Sequence, residues 1–155
     1  MSRPRYDWWG YMLNIIRRYP ERKKQLEELR QTPVTPKYAV ERYGNGSCNP
    51  VEVAATKNLG EQEMREFEAV SAAIRETAKM ATGEARLAII DLLYWKRYWK
   101  TIDGAAYEVG YSKDRAKEFH SEFIRLVGYY MGYLPREKIR KKRNVTPNSQ
   151  KTVSK

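Results

Sequence analysis

Apolar residues recur along this chain at steps of three and four, and the pattern predicts an all-α fold. Between Tyr6 and Tyr19 the residues Trp8, Trp9, Tyr11, Met12, Leu13, Ile15 and Ile16 cover more than one stripe of a helix. That calls for burial on two sides, in a thick core or against a partner chain. Pro20 suits the first turn of a following helix, PERKKQLEELRQ, in which Leu26 and Leu29 form a thin apolar edge among charges. Residues 1–31 therefore read as an N-terminal helical hairpin, or one bent helix, available for oligomerisation.

From Glu61 to Met80, Met64, Phe67, Val70, Ile74 and Thr77 alternate steps of three and four like a coiled-coil seam. The seam is shorter than three heptads, which favours packing on its own domain over contact between subunits. Gly83 then breaks this central helix. A further amphipathic helix is predicted over Glu84–Lys100, with Leu87, Ile90, Leu93 and Tyr94 inward and Arg86, Lys96, Arg97 and Lys100 outward. Trp95 and Trp99, near its end, read as core in preference to platforms for stacked bases.

The stretch Ile102–Phe123, IDGAAYEVGYSKDRAKEFHSEF, carries the spacing of a helix-turn-helix. Such a unit needs a small residue where its helices cross, a glycine in the turn, and apolar residues wedging the second helix on the first. Ala106 stands four residues before Gly110, Val109 and Tyr111 flank that glycine, and Ala116 and Phe119 follow at helical spacing. Gly110 can adopt a positive φ, and Ser112 can accept from the free N–H groups that open the second helix. In this geometry the start of the second helix enters the major groove. Ser112, Lys113, Asp114, Arg115, Lys117, Glu118 and, one turn on, Ser121 are the candidate DNA contacts. The cations can donate to guanine or phosphate and the carboxylates can accept from the cytosine amino group. His120 reads as a DNA contact or a solvated side chain. The helix continues through Ile124, Leu126, Val127, Tyr130 and Met131 to a stop at Gly132–Pro135, and its far half should anchor the reading half.

Residues 32–60, in which Thr32–Leu59 alone holds three prolines and two glycines, show no sustained periodicity and read as a linker. Residues 61–134 form the expected helical DNA-binding domain, with the helix-turn-helix at 102–123. Residues 135–155 are a basic tail, eight lysines and arginines against Glu137. Its Lys138, Arg140, Lys141, Lys142 and Arg143 are candidate phosphate contacts that add affinity without sequence preference.

The net charge of +11 in 155 residues points to a polyanionic partner, nucleic acid before a membrane surface. Most of that excess belongs to the tail. The 102–123 motif is itself only mildly basic, with Asp103, Glu108, Asp114, Glu118 and Glu122 beside its cations. No apolar run approaches the roughly 18 residues that span a bilayer, and the start MSRPRYDWWG lacks a leader pattern, so a cytoplasmic protein is expected. Cys48 alone cannot form an internal disulfide, and with His120 the sole histidine there is no metal-ligand spacing; no cofactor or metal is expected. A phosphate-binding GxxxxGK[ST] loop, a Ser-His-Asp set and a paired-carboxylate motif are all lacking, and Asp91 and Asp103 are scattered carboxylates, so no enzyme is expected.

The segments YDWWGYMLNIIRRYPERKKQLEEL, ARLAIIDLLYWKR and GAAYEVGYSKDRAKEFHSEFIRLVGYYMGYL resemble the RinA family of phage transcriptional activators over most of the chain. The last segment also resembles the promoter-reading region four of bacterial sigma factors, whose recognition helix opens in the order seen in GYSKDRAK. The resemblance implies base or phosphate roles for Lys113, Asp114, Arg115 and Lys117. Glu118 stands where a glutamine is frequent, so adenine reading is not carried over to it. It further implies a sequence-specific activator of phage late packaging and structural genes in a bacterial host cell. Such an activator would act on double-stranded promoter DNA as a homo-oligomer, with bacterial RNA polymerase a further partner. The alternative is a DNA-packaging protein like a phage small terminase subunit, which also joins helix-turn-helix binding to helical oligomerisation.

Overall fold

A computed structural model describes residues 6–31 and 59–139, and these residues are all-helical, with no strand among them. The helices are α1 (Trp9–Gln31), α2 (Glu61–Ala78), α3 (Gly83–Ile90), α4 (Ile102–Val109) and α5 (Lys113–Tyr130). A π-helical turn, Asp91–Trp95, extends α3, and a 3-10 turn, Arg136–Lys138, follows α5. The expected linker lies outside the described residues except for Leu59 and Gly60, as do Cys48 and the tail from Arg140 onward.

The N-terminal segment is one helix, not a hairpin: α1 runs through Pro20. A proline inside a helix removes the N–H that would bond the carbonyl four residues earlier. Here that carbonyl belongs to Ile16, and the indole Nε1 of Trp95 donates to it at 2.8 Å. The π-helical turn thus supplies the hydrogen bond that Pro20 cannot. Trp95 is packed beside Tyr19 and Phe123, as a core residue should be.

Met12, Ile15 and Ile16 of α1 are buried in a core with Ala69, Val70 and Ala73 of α2 and Phe123, Ile124, Leu126 and Val127 of α5. The two-sided burial expected of this helix is met within the chain. Along the α2 seam Val70 and Thr77 are buried, while Met64, Phe67 and Ile74 are half-buried. Tyr19 of α1 stacks on Phe67, ring centroids 5.2 Å apart. Beside them the α1–α2 junction encloses an ion pair between Arg22 and Glu66, both buried. Tyr11 donates to the same carboxylate, and Gln62 Nε2 donates to the Tyr11 hydroxyl at 2.9 Å.

Two expected boundaries move. The central helix ends at Ala78, and Gly83 opens α3 rather than closing α2. A Cβ at Gly83 would stand 2.5 Å from the Thr77 carbonyl oxygen, so only glycine lets α3 begin this close to the end of α2. The helix expected to reach Lys100 stops five residues short, at Trp95. Its wide last turn carries Tyr94 towards His120 and Trp95 towards α1, and Lys96 leaves it in an extended conformation. Residues 96–100 are consequently exposed, and Trp99 is not core.

Candidate nucleic-acid interface

Thr101 opens α4 by accepting from the Gly104 N–H at 3.2 Å. Gly110 ends the helix at φ 81°, ψ 31°. In that left-handed conformation its N–H and that of Tyr111 both reach the Ala106 carbonyl, at 3.0 and 2.9 Å. A residue with a Cβ would meet no neighbour there but would carry the backbone strain of about 1–2 kcal/mol. Ser112 is extended and its Oγ accepts from the Arg115 N–H at 3.3 Å, so the turn uses the two residues whose chemistry suits it.

Ala105 and Ala106 of α4 meet Ala116 and Phe119 of α5 in a second, smaller buried cluster with Ile89 and Leu92. Val109 and Tyr111 pack against it, the tyrosine edge-on to Phe119 with centroids 5.4 Å apart. The small side chains let the two helices approach closely. Phe119 is further held between the Arg86 and Arg115 guanidinium groups, 4.3 and 4.9 Å from its ring centre.

The opposite face of the first two turns of α5 is exposed and polar. Lys113 pairs with Asp103 in the first turn of α4 at 2.8 Å. That hydrogen bond and the Asp103 charge raise the pKa of the ammonium group. Arg115 pairs with Glu118 at 2.7 Å and Lys117 with Asp114 at 3.8 Å. The candidate residues Lys113 to Glu118 are therefore together, with each cation lying beside a carboxylate. Ser121 lies half-buried further along α5, and Lys138 is exposed in the 3-10 turn. Arg140, Lys141, Lys142 and Arg143 lie outside the described residues. The last described residue, Ile139, is buried and shares a small cavity with Phe119, Glu122 and Phe123, so the described chain ends beside the middle of α5.

His120 is neither a surface contact nor a solvated group. It stacks on Tyr94 at 5.7 Å and its Nε2 is hydrogen-bonded to the Tyr94 hydroxyl. Burial pushes its pKa down to about 4 and that of the tyrosine up to about 12. Its place on α5 follows from the helical period, since Ala116, Phe119 and Phe123 bury the same side. Sequence reasoning also passed over two exposed aromatics near this unit, Tyr98 and Tyr107, and placed a third, Trp99, in the core. The π-helical turn that frees Tyr98 and Trp99 leaves no periodic signal. Among the described residues there is no group of three metal-ligating side chains, and no helix is long and apolar enough to cross a membrane. Compared with protein-family models, with curated proteins and with solved structures, the chain matches none.

Proposed function

We propose that α4 and α5 form a helix-turn-helix that reads double-stranded DNA, with the first two turns of α5 in the major groove. The observation that carries this reading is the junction: a left-handed Gly110, the Ser112 cap and alanines at the helix crossing, which leave Lys113, Asp114, Arg115, Lys117 and Glu118 together on an outer face. Cations there donate to guanine or phosphate, and carboxylates accept from cytosine. Lys138 and the basic residues after it add phosphate contacts. With the resemblance to RinA-type activators and to sigma region four, the protein is best read as a sequence-specific, non-catalytic transcriptional activator of phage late genes. It works in the bacterial cytoplasm as a homo-oligomer on promoter DNA, beside RNA polymerase.

The test is discrimination. Lys113→Ala and Lys117→Ala should each reduce the preference for the selected operator over random duplex by about five- to a hundredfold, measured by footprinting or anisotropy. Wild-type discrimination in both variants would remove α5 as the reader. Native mass spectrometry separates the packaging alternative, for which a ring of many subunits without promoter protection is expected.

A further inference from the structure

The three most exposed large apolar side chains of the described residues are Tyr98 and Trp99, adjacent in the loop before α4, and Tyr107 on α4, at 79%, 75% and 91% exposure. We propose that the loop Lys96–Lys100, with Tyr107, is a second contact for the same duplex. It lays aromatic rings on the sugars and base edges of nucleotides flanking the element read by α5. The inference rests on the reading of α4 and α5 as a DNA-binding pair.

The loop adjoins the helix pair. Thr101, which caps α4, directly follows the loop, and Asp103 in the next turn holds Lys113, the first residue of α5. Lys100 lies along α4 beside Gly104 and pairs with Glu108. Tyr107 follows Gly104 by three residues and Asp103 by four, which sets it on that same side of the helix. The aromatic group and the opening of α5 therefore border one another.

The loop is also basic and aromatic in composition. The segment KRYWKT holds three cations, two aromatic rings, no acid and no aliphatic residue. The Arg97 guanidinium lies 5.7 Å from the Tyr98 ring centre. Lys96 is steadied by Asp91 at 3.7 Å and still half-exposed. Protein interfaces favour aromatic rings and arginine but are depleted in lysine, of which this segment has two. Rings interleaved with lysines instead suit a duplex, which offers phosphates to the cations and the apolar sides of sugars and base edges to the rings. Two exposed neighbouring aromatics also stand out in a protein whose other tryptophans are at least partly buried.

The experiment compares the wild-type protein with Tyr98→Ala/Trp99→Ala, Tyr107→Ala and Arg97→Gln on the duplex that the wild-type selects from a random pool, and on the same duplex trimmed of its flanks. The substituted positions are exposed, so melting temperatures should match and report intact folding. On the long duplex the aromatic double variant should bind about tenfold or more weakly, the scale of losing the burial of one large apolar side chain. On the trimmed duplex it should equal the wild type. Arg97→Gln should lower the log–log salt slope by about 0.9, one phosphate. Full affinity of the aromatic variants on the long duplex overturns the proposal, as does an equal loss on both duplexes. Unchanged DNA affinity with lost transcription would assign the patch to a protein partner and overturn it too. A wild-type protein that retains no duplex overturns the DNA reading and this contact together, whereas the other outcomes leave that reading standing.

Discussion

Helix α5 rests on two cores of different make. Its C-terminal half shares the larger one with α1 and α2, built from Met12, Ile15, Ile16, Val70, Phe123, Ile124, Leu126 and Val127. Its N-terminal half rests with α4 on a small one in which Ala105, Ala106 and Ala116 are three of the six buried members. Large side chains bury more apolar area, at about 25 cal/mol per Å², and supply most of the stability. Alanines bring backbones together and fix their relative position. Charges divide in the same way: Arg22 and Glu66 are buried beside the larger core, while the pairs of Lys113, Arg115 and Lys117 stand in solvent. One end of α5 holds the protein together, and the other presents adjustable charge.

The largest expected effect comes from the buried pair. Removing one member leaves the other desolvated without compensation, which costs about 3–5 kcal/mol. Arg22→Met should lower the unfolding free energy by that order in urea or thermal melts, because Glu66 would keep Tyr11 and Gln62 but lose the guanidinium. Burial raises the pKa of Glu66, yet the hydrogen bonds from Tyr11 and Arg22 and the arginine charge outweigh it, so the carboxyl lies below its ordinary 4.5. Its contribution is complete above that ordinary value and is lost as pH falls through the lowered one. A cost near that of surface pairs, below about 1 kcal/mol, would put Arg22–Glu66 on a par with the pairs around α4.

Between the two cores lies His120 against Tyr94, and its expected effect comes next. Burial depresses the imidazole pKa from 6.5 to about 4, so within that window the unfolded chain takes up a proton that the native one refuses. Stability from this group is complete above pH 6.5, declines down to pH about 4 and then levels. At about 1.4 kcal/mol per pH unit, the loss across the window is about 3 kcal/mol. His120→Gln should flatten unfolding free energy against pH across that range and leave the decline from Glu66 at lower pH. An unchanged slope in the variant would assign the titration to another group.

Local chemistry made the α4–α5 junction legible: a glycine that can be left-handed, a serine that can cap, and alanines at helical spacing name their own backbone roles. The larger core was legible as periodicity, because Met12, Ile15, Ile16, Val70, Leu126 and Val127 follow it. Three features were not: two depend on a partner distant in sequence and the third on a local turn that leaves no periodic signal. Pro20 reads as a helix start until Trp95, 75 positions later, covers the carbonyl it orphans. Trp99 reads as core until the π-helical turn ends the helix beneath it. His120 reads as a surface residue among charged neighbours until Tyr94 is seen to cover it.

The smallest effect on stability is expected at Lys113–Asp103, and it sharpens the contrast most. Both side chains are more than half exposed, and pairs of this kind add little to folding. Asp103→Asn should leave the melting temperature within error of the wild type. On DNA the same substitution removes a carboxylate from the proposed contact face and releases the Lys113 ammonium. Affinity for any duplex should therefore rise by about two- to tenfold at low salt, with the gain fading as salt screens it. Lys113→Gln should also melt normally but bind more weakly. At Arg22–Glu66 the loss of either partner acts in one direction, on stability; at Lys113–Asp103 the two losses act in opposite directions, on binding. An Asp103→Asn protein that melts lower and binds no better would show that the carboxylate serves to hold α4 against α5, and the small core would then need its surface charge as the larger one needs its buried pair.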